Sequence, residues 1–255
     1  MLPFIEKRLI YKPVKAKKDW VPAADPAIQD VWLTSRHKRT RIHAWWCPTS
    51  DAEWVVLYCH GNAGNLSQRQ STVRAWQEIV RASVLIFDYP GFGRSGGRPT
   101  EKGCYASAEA AYRWLTEAQG VPPDRLVLCG GSLGGAMAVE LAVRHPHRAL
   151  ILINAFTCIP DMAKKVVPYL PSRWLVRTRY HNLAKLRTYR GPLFVIHGTA
   201  DETIPFAHGE RLFAACPSPH KRFLPVEGAR HNNTATPQVY AEIARFLRAL
   251  PATPG

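Results

Sequence analysis

Residues 125–135 read Arg-Leu-Val-Leu-Cys-Gly-Gly-Ser-Leu-Gly-Gly, the most informative stretch of the chain. The apolar run before Gly130 is typical of a strand, and the run from Ala136 to Arg144 is typical of a helix. A G-x-S-x-G sequence in that setting predicts a nucleophile elbow, with a strained serine and room only for glycine at positions 130 and 134. The turn leaves the Ser132 hydroxyl at a helix N-terminus, which favours developing negative charge. Taken alone, these residues also suit a flexible loop with an ordinary serine.

Length and composition favour a single folded domain. A chain of 255 residues, 46% hydrophobic and 21% charged, is long enough for one large α/β domain with a substantial core. Six cysteines are scattered without C-x-x-C pairs, so we expect buried thiols in a reducing compartment, not a disulfide framework or a zinc site. The N-terminus lacks a signal-peptide pattern, and no run approaches the roughly 18 apolar residues of a spanning helix. We therefore expect a soluble, cytoplasmic protein.

The formal net charge of +15 is the most unusual bulk property. It is compatible with nucleic-acid binding, with attraction to an anionic membrane surface, or with a merely basic surface. The cations are spread along the chain without a recognition helix or an aromatic RNA-binding signature, so nucleic acid is not an expected partner. Peripheral contact with an anionic membrane stays open as a hypothesis.

The order of predicted elements indicates a mostly parallel sheet. Residues 1–27 hold basic residues between prolines and form an extended basic lead-in, and residues 28–34 and 41–47 predict an antiparallel hairpin. From residue 54 strands alternate with helices, the signature of a parallel sheet covered on both faces. We expect one α/β domain over residues 28–255. Helices are predicted near 68–81, 100–119 with Thr100 as N-cap, 206–214 and 237–250.

A nucleophilic serine needs a base and an acid at later strand ends. A histidine must take the serine proton, and a carboxylate must hold the histidine tautomer and stabilise its charge. Asp201 and His231 each follow a predicted strand, and the order Ser132, Asp201, His231 is that of α/β hydrolases. Glu202, beside Asp201, and Asp161, after the preceding strand, are alternative candidates for the acid.

Over roughly residues 30–250 the chain resembles α/β hydrolases. It is similar to serine hydrolases that carry HGNAG, DYxGxGxSxG, GxSxG, HGTxDExIP and GxxH blocks, a group with serine-aminopeptidase-like, monoacylglycerol-lipase-like and depalmitoylase-like members. The resemblance implies an α/β-hydrolase fold, with a mostly parallel eight-stranded sheet, helices on both faces and a short cap inserted at about residues 157–190. It implies catalytic Ser132, Asp201 and His231, and an oxyanion hole formed by the backbone N–H groups of Asn62 and Leu133.

His60 and Asn62, both in the implied oxyanion loop, each have a second interpretation. His60 precedes Asn62 in His60-Gly61-Asn62-Ala63-Gly64, and we interpret it as a structural histidine at a strand end, since His231 meets the position of the base. The alternative for Asn62 is a loop residue whose side chain only caps the next helix.

The cap segment bears on the substrate. Between Lys164 and Arg190 it holds eight Lys or Arg residues and no acid, interleaved with apolar and aromatic residues. We expect the apolar side chains to line an acyl pocket and the basic ones to face phospholipid head groups or an acidic partner, with an ordinary solvated surface as the alternative. The predicted function is hydrolysis of a small-molecule or lipid-like carboxylic ester or thioester through an acyl-enzyme, without cofactor or metal. A peptidase, an acyltransferase and a non-catalytic binding protein remain alternatives.

Two further patterns favour structural roles. Gly91-x-Gly93-x-x-Gly96 has the form of a dinucleotide fingerprint, but the next strand does not end in the acidic residue that binds ribose. We expect a tight turn there, with Ser95 as a turn residue, and a nucleotide-dependent oxidoreductase built on residues 84–130 is a weaker rival. The ten histidines include no H-E-x-x-H spacing, so no metal is expected, and His145 and His147 are expected to be solvated.

Overall fold

The computed structural model describes residues 10–166 and 177–251, with the backbone alone for 163–166. Ten strands lie within these residues. They are β1 (Lys12–Pro13), β2 (Gln29–Thr34), β3 (Arg41–Cys47), β4 (Trp54–Cys59), β5 (Ala63–Gly64), β6 (Ala82–Phe87), β7 (Leu126–Gly131), β8 (Ala149–Ile153), β9 (Leu193–Gly198) and β10 (Lys221–Val226).

Eight of the described strands form one sheet in the order β10-β9-β8-β7-β4-β6-β3-β2. The pairings from β10 to β6 are parallel, whereas β6 with β3 and β3 with β2 are antiparallel. The predicted α/β class, the eight-stranded mostly parallel sheet and the antiparallel hairpin are confirmed. The carboxyl ends of the parallel strands share one edge, where α/β proteins build their sites.

Seven α-helices lie in the described part of the chain. They are α1 (Gln70–Glu78), α2 (Glu101–Arg113), α3 (Gly134–Ala142), α4 (Ile159–Val166), α5 (Asn182–Leu186), α6 (Ala207–Ala215) and α7 (Pro237–Ala249). The predicted N-cap of α2 is confirmed, because the Thr100 side chain accepts a hydrogen bond from the Gly103 N–H at 3.0 Å. The segment predicted as one helix near 100–119 continues after α2 as a π-helical turn at Trp114–Ala118.

The two sheet faces carry separate apolar cores. Along β4, Val55, Leu57 and Cys59 belong to one core, whereas Val56 and Tyr58 belong to the other, as the two-residue period of a strand requires. Helices α2, α3 and α6 pack on the first face, and α1 and α7 pack on the second. All six cysteines are free thiols, and five of them are buried. The central strands are thus covered by apolar side chains on both faces.

Part of the basic lead-in is tied to the loop that follows β4. Strand β1 pairs in parallel with β5, and the Lys12 N–H donates to the Asn62 side-chain oxygen at 3.1 Å. Further along, the Ala16 N–H donates to the Gly93 carbonyl at 3.0 Å. Residues 12–16 therefore brace two loops at the carboxyl edge of the sheet.

The predicted cap segment contributes α4 and α5, and residues 167–176 of it lie outside the described residues. Tyr180, expected in an acyl pocket, is buried, and its hydroxyl pairs with that of Tyr11 at 2.8 Å. Lys185 does not face outward as expected, since its ammonium contacts a Glu140 carboxylate oxygen and the Tyr105 hydroxyl, each at 2.7 Å. In the part of the chain that the structure describes, no helix is both long and apolar enough to cross a membrane.

Candidate active site

Ser132 lies at the strand-to-helix turn between β7 and α3. Its φ angle is 52°, in the left-handed region that a serine rarely adopts. A Cβ on Gly130 would lie 2.3 Å from the Gly134 carbonyl oxygen, and one on Gly134 would lie 1.8 Å from the Cys59 oxygen. The predicted strain at the serine and the steric need for both glycines are therefore observed.

A continuous hydrogen-bonded chain connects Ser132 with two side chains from later loops. His231 Nε2 lies 3.2 Å from Ser132 Oγ, and His231 Nδ1 lies 2.7 Å from Asp201 Oδ2. The other Asp201 carboxylate oxygen accepts the backbone N–H groups of Thr203 and Ile204, each at 2.8 Å. Three residues that are 69 and 30 positions apart along the chain thus meet in one line at the sheet edge.

The two alternative acids have other partners. Glu202 forms an exposed ion pair with Arg230 at 3.1 Å. Asp161 accepts from the Thr157 hydroxyl at 3.0 Å and pairs with Arg211 at 3.1 Å. The carboxylate in contact with His231 is therefore that of Asp201.

The surroundings of Asp201 favour its ionised form. Burial opposes ionisation, but the hydrogen bond with His231 and those from the backbone N–H groups outweigh it, so the pKa of Asp201 lies below its ordinary value. Because a charged carboxylate faces Nδ1, the imidazole proton is held at that nitrogen and Nε2 is left to accept from the serine. The arrangement can accept a proton from Ser132 and stabilise the resulting charge.

A second histidine packs against Asp201. His197 Nε2 lies 2.9 Å from the Ile204 carbonyl oxygen and 3.6 Å from Asp201 Oδ2, and the ring is fully buried. Burial lowers the pKa of His197, which opposes protonation of the ring. A Cβ on Gly209 would lie 2.7 Å from the ring nitrogen Nδ1, so α6 needs a glycine to approach it. His197 thus supports the loop that carries the acid.

The loop after β4 lies beside Ser132. A Cβ on Gly61 would be 3.6 Å from the Ser132 Cβ atom. Within residues 10–166 and 177–251, the backbone N–H groups of Asn62 and Leu133 donate no hydrogen bond to the protein. The alternative role of Asn62 as a helix cap is wrong, because Asn65 accepts the Ser67 N–H at 3.0 Å and caps the turn Leu66–Arg69. Two unused donors are therefore present next to the serine.

His60 and the glycine turn after β6 form a buried support beneath that loop. The His60 ring is fully buried between Tyr89 and Phe92, and its Nε2 lies 3.4 Å from an Asp88 carboxylate oxygen. A Cβ on Gly93 would lie 1.9 Å from the other Asp88 oxygen. The glycines at 91–96 therefore serve a tight turn around Asp88, as predicted.

Asn154 is a residue of the site that sequence analysis missed. It follows β8 with a φ of 48°, and its side-chain N–H₂ donates to the His231 carbonyl at 2.9 Å and to the Thr234 hydroxyl at 2.8 Å. Its side-chain oxygen accepts the Gly198 N–H at 3.0 Å. One buried carboxamide thus joins the loop of Asp201 to the loop of His231. In the sequence, the one feature that could have pointed to Asn154 is its position directly after a predicted strand.

The expectation that His145 and His147 are solvated is wrong. His145 Nε2 lies 2.8 Å from a Glu109 carboxylate oxygen, and the ring stacks on Tyr112. His147 stacks on Tyr189 and bonds its hydroxyl at 2.7 Å, and burial lowers the pKa of His147 to about 4. Aromatic neighbours from distant segments cover both rings.

We expect acid to destabilise the start of the cap segment through His208. Its Nδ1 accepts the Thr157 backbone N–H at 3.2 Å, and burial, with Arg211 nearby, lowers the pKa of His208 to about 4. The unfolded chain, with a pKa near 6.5, binds the proton more readily, so stability is lost as pH falls from about 6.5 to 4. Protonation of His208 should lower the free energy of unfolding by about 2–3 kcal/mol over this pH range.

Urea unfolding of the wild type and of His208→Gln at pH 7 and pH 4.5 measures this effect. The variant should lose less stability on acidification than the wild type, since glutamine has no proton to gain. An equal loss of unfolding free energy in both proteins would show that His208 is not the group whose protonation destabilises the fold.

Comparison with known proteins identifies the family. Residues 55–175 match the model of the alpha/beta hydrolase fold. Alpha/beta hydrolase domain-containing protein 17B of Homo sapiens is 33% identical over 84% of this chain and 73% of that protein. The chain belongs to the α/β hydrolase family. An uncharacterized protein of Mycobacterium tuberculosis is 37% identical over 89% of this chain and 81% of that protein.

Solved structures of α/β hydrolases show the same fold at low sequence identity. The Pyrococcus furiosus esterase Pf2001 superposes with a TM-score of 0.75, covering 93% of this chain and 98% of that one at 18% identity. The esterase domain of a Rhodothermus marinus protein superposes with a TM-score of 0.65, covering 87% and 96% at 22% identity. These likenesses extend the confirmation of the fold beyond the segment that the family model covers.

Proposed function

We propose that this α/β hydrolase cleaves carboxylic esters or thioesters through an acyl-enzyme on Ser132. The observation that carries the proposal is the hydrogen-bonded chain from Ser132 Oγ through His231 to Asp201, at a turn that presents the serine with unused backbone donors beside it. Each part has a chemical role in acyl transfer, and their combination is what serine hydrolases require.

In the proposed reaction, Ser132 Oγ attacks the carbonyl carbon while His231 Nε2 takes the hydroxyl proton. The ionised Asp201 stabilises the imidazolium that forms, and His231 then gives the proton to the leaving alcohol or thiol as the carbon bond to it breaks. Water, deprotonated by the same nitrogen, then attacks the acyl carbon, the bond from that carbon to Ser132 Oγ breaks, and His231 returns the proton to Oγ as the carboxylic acid leaves. The cycle is balanced in protons and needs no external reductant or oxidant.

The backbone N–H groups of Asn62 and Leu133 would bind the oxyanion of the tetrahedral intermediate. A donor of this kind is worth about 3 kcal/mol of transition-state stabilisation. The Lys12 N–H, by holding the Asn62 side chain, keeps the loop in place for this contact. The strap of residues 12–16 is therefore part of the support of the proposed oxyanion hole.

Hydrolysis of p-nitrophenyl esters and a matched thioester by the wild-type protein tests the proposal, with labelling by a fluorophosphonate probe as a second readout. Turnover with labelling at Ser132 is the expected result. A folded protein that neither turns over these substrates nor labels would contradict it, and would favour a binding role instead.

We expect Asn154 to act as a positioning residue for this reaction. Asn154→Gly keeps the left-handed backbone accessible and removes the carboxamide that joins the Asp201 and His231 loops. We expect kcat to fall by about 10–100-fold with KM nearly unchanged, because a small displacement of the base costs rate but not substrate binding.

Steady-state kinetics and the rate of fluorophosphonate labelling both report on this variant. Asn232→Ala is the matched control, since Asn232 is exposed in the loop that carries His231. An Asn154→Gly protein with wild-type kcat would show that the carboxamide has only a structural role.

A further inference from the structure

We propose that this protein docks on an anionic lipid bilayer through a basic rim at the sheet edge that carries Ser132. The basic rim consists of seven exposed cations, Arg36, Lys38, Arg39, Arg41, Arg94, Arg98 and Lys102. The inference concerns binding and is independent of ester hydrolysis, so either proposal can fail without the other.

The sheet topology places these cations together. Strand β3 runs antiparallel to β6, so the turn between β2 and β3 lies at the edge where β6 ends. The Gly96 N–H donates to the Arg41 carbonyl at 2.9 Å, and a Cβ on Gly97 would lie 3.1 Å from the Thr40 methyl carbon. The loop that carries Arg94 and Arg98 therefore packs on the turn, and the two groups of cations form one surface.

Acidic side chains do not neutralise this surface. Of the seven cations, only Arg94 forms an ion pair among the described residues, with Asp30 at 3.2 Å. Glu101, which precedes Lys102, accepts the backbone N–H groups of Arg179 and Tyr180 instead. The positive potential of the rim is thus available to an anionic partner.

The turn between β2 and β3 carries Lys38 and Arg39 at two positions whose backbone conformation favours asparagine and glycine. Lys38 and Arg39 have φ angles of 55° and 46°, and the Thr40 N–H donates to the His37 carbonyl across them. A tight hairpin turn with two left-handed residues favours Asn-Gly, whose side chains tolerate that backbone. Two long basic side chains at these positions point to a function outside folding.

An exposed tryptophan beside the rim favours a bilayer over other anionic partners. Trp32 is 42% exposed, and the Arg41 guanidinium lies 3.8 Å from its ring centroid. Tryptophan is enriched at membrane–water interfaces. Of the seven cations only Arg41 lies in a strand and only Lys102 lies in a helix, so the rim presents no row of cations along a helix or a ribbon that could follow a DNA groove. The rim lies three to four strands from β7, roughly 15–20 Å at the usual strand spacing, and on the same carboxyl edge of the sheet as Ser132.

Co-sedimentation with vesicles tests the proposal. The wild type should bind phosphatidylcholine vesicles that contain phosphatidylserine, should not bind pure phosphatidylcholine, and should be released by high salt. The double variant Lys38→Asn and Arg39→Gly should bind the anionic vesicles about tenfold more weakly. Its melting temperature should rise, because the substitutions relieve the left-handed backbone, so weaker binding cannot be ascribed to misfolding.

The matched control removes two arginines from the opposite edge. Arg187 and Arg190 are exposed and precede β9, and Arg187→Gln with Arg190→Gln changes the net charge by the same amount. Binding by this control should stay within about twofold of the wild type. Equal losses in both double variants, no wild-type binding to anionic vesicles, or tighter binding to duplex DNA or polyglutamate than to vesicles would each overturn the proposal.

Discussion

Ser132→Ala should abolish ester hydrolysis and fluorophosphonate labelling while the fold is retained. Alanine lacks the oxygen that His231 Nε2 contacts at 3.2 Å, and the left-handed backbone at position 132 is already set by the turn between β7 and α3. Loss of a serine nucleophile with an intact base and oxyanion hole lowers kcat by about 10⁴-fold or more. Initial rates on a p-nitrophenyl ester, with intact-mass detection of the labelled protein, measure the effect.

The control for this variant is a second serine on the same molecule. Ser71 is exposed in α1, a helix that accepts alanine well, and Ser71→Ala should keep wild-type activity and labelling. A Ser132→Ala protein that still hydrolyses the ester or takes up the probe would place the nucleophile elsewhere. An unchanged melting temperature distinguishes loss of chemistry from loss of structure.

Gly134→Ala should strongly destabilise the protein, although the substitution adds one methyl group. The new Cβ would lie 1.8 Å from the carbonyl oxygen of Cys59, at the end of the buried central strand β4. The backbone of Cys59, which pairs with Gly130 of β7, cannot move away as the end of a flexible side chain can, so α3 must shift. We expect a loss of at least about 3 kcal/mol, which lowers the melting temperature by roughly 6–12 °C for a chain of this size.

Gly131→Ala is the matched control in the same turn. A Cβ at position 131 would meet the Tyr58 hydroxyl at 3.5 Å, which is ordinary van der Waals contact. Its stability should stay within about 1 kcal/mol of the wild type. Thermal unfolding by circular dichroism compares the two variants, and equal melting temperatures for both would show that the close approach of α3 to β4 is not what limits position 134.

The local parts of the site could be predicted because their physical causes lie within a few residues. Gly130 is needed by the turn itself, because a Cβ there would meet the Gly134 carbonyl, and the Thr100 cap bonds the N–H of Gly103. Asp201 and His231 could be proposed from their positions after strands, since carboxyl ends of parallel strands share one edge. Their distances to each other depend on strand order, which residue spacing alone does not specify.

The parts that sequence analysis missed depend on contacts between distant segments. Asn154 contacts residues 44 to 80 positions away, so neither its left-handed backbone nor its three hydrogen bonds have a local signature. His145 and His147 resemble solvated residues at a helix end, and stacking on Tyr112 and Tyr189 leaves them half-buried. The pairing of the lead-in with the loop after β4 is likewise a long-range contact.

The sequence by itself determined the chemistry available to this protein, because the residue types, their order and the glycines of the elbow are local properties. Only the tertiary structure decided which groups meet. The sheet order brings His231 to Ser132, lets one carboxamide join two loops, and gathers the cations of a hairpin and a glycine turn into one basic rim. Such contacts follow from packing of the whole sheet, in which each strand position depends on all the others.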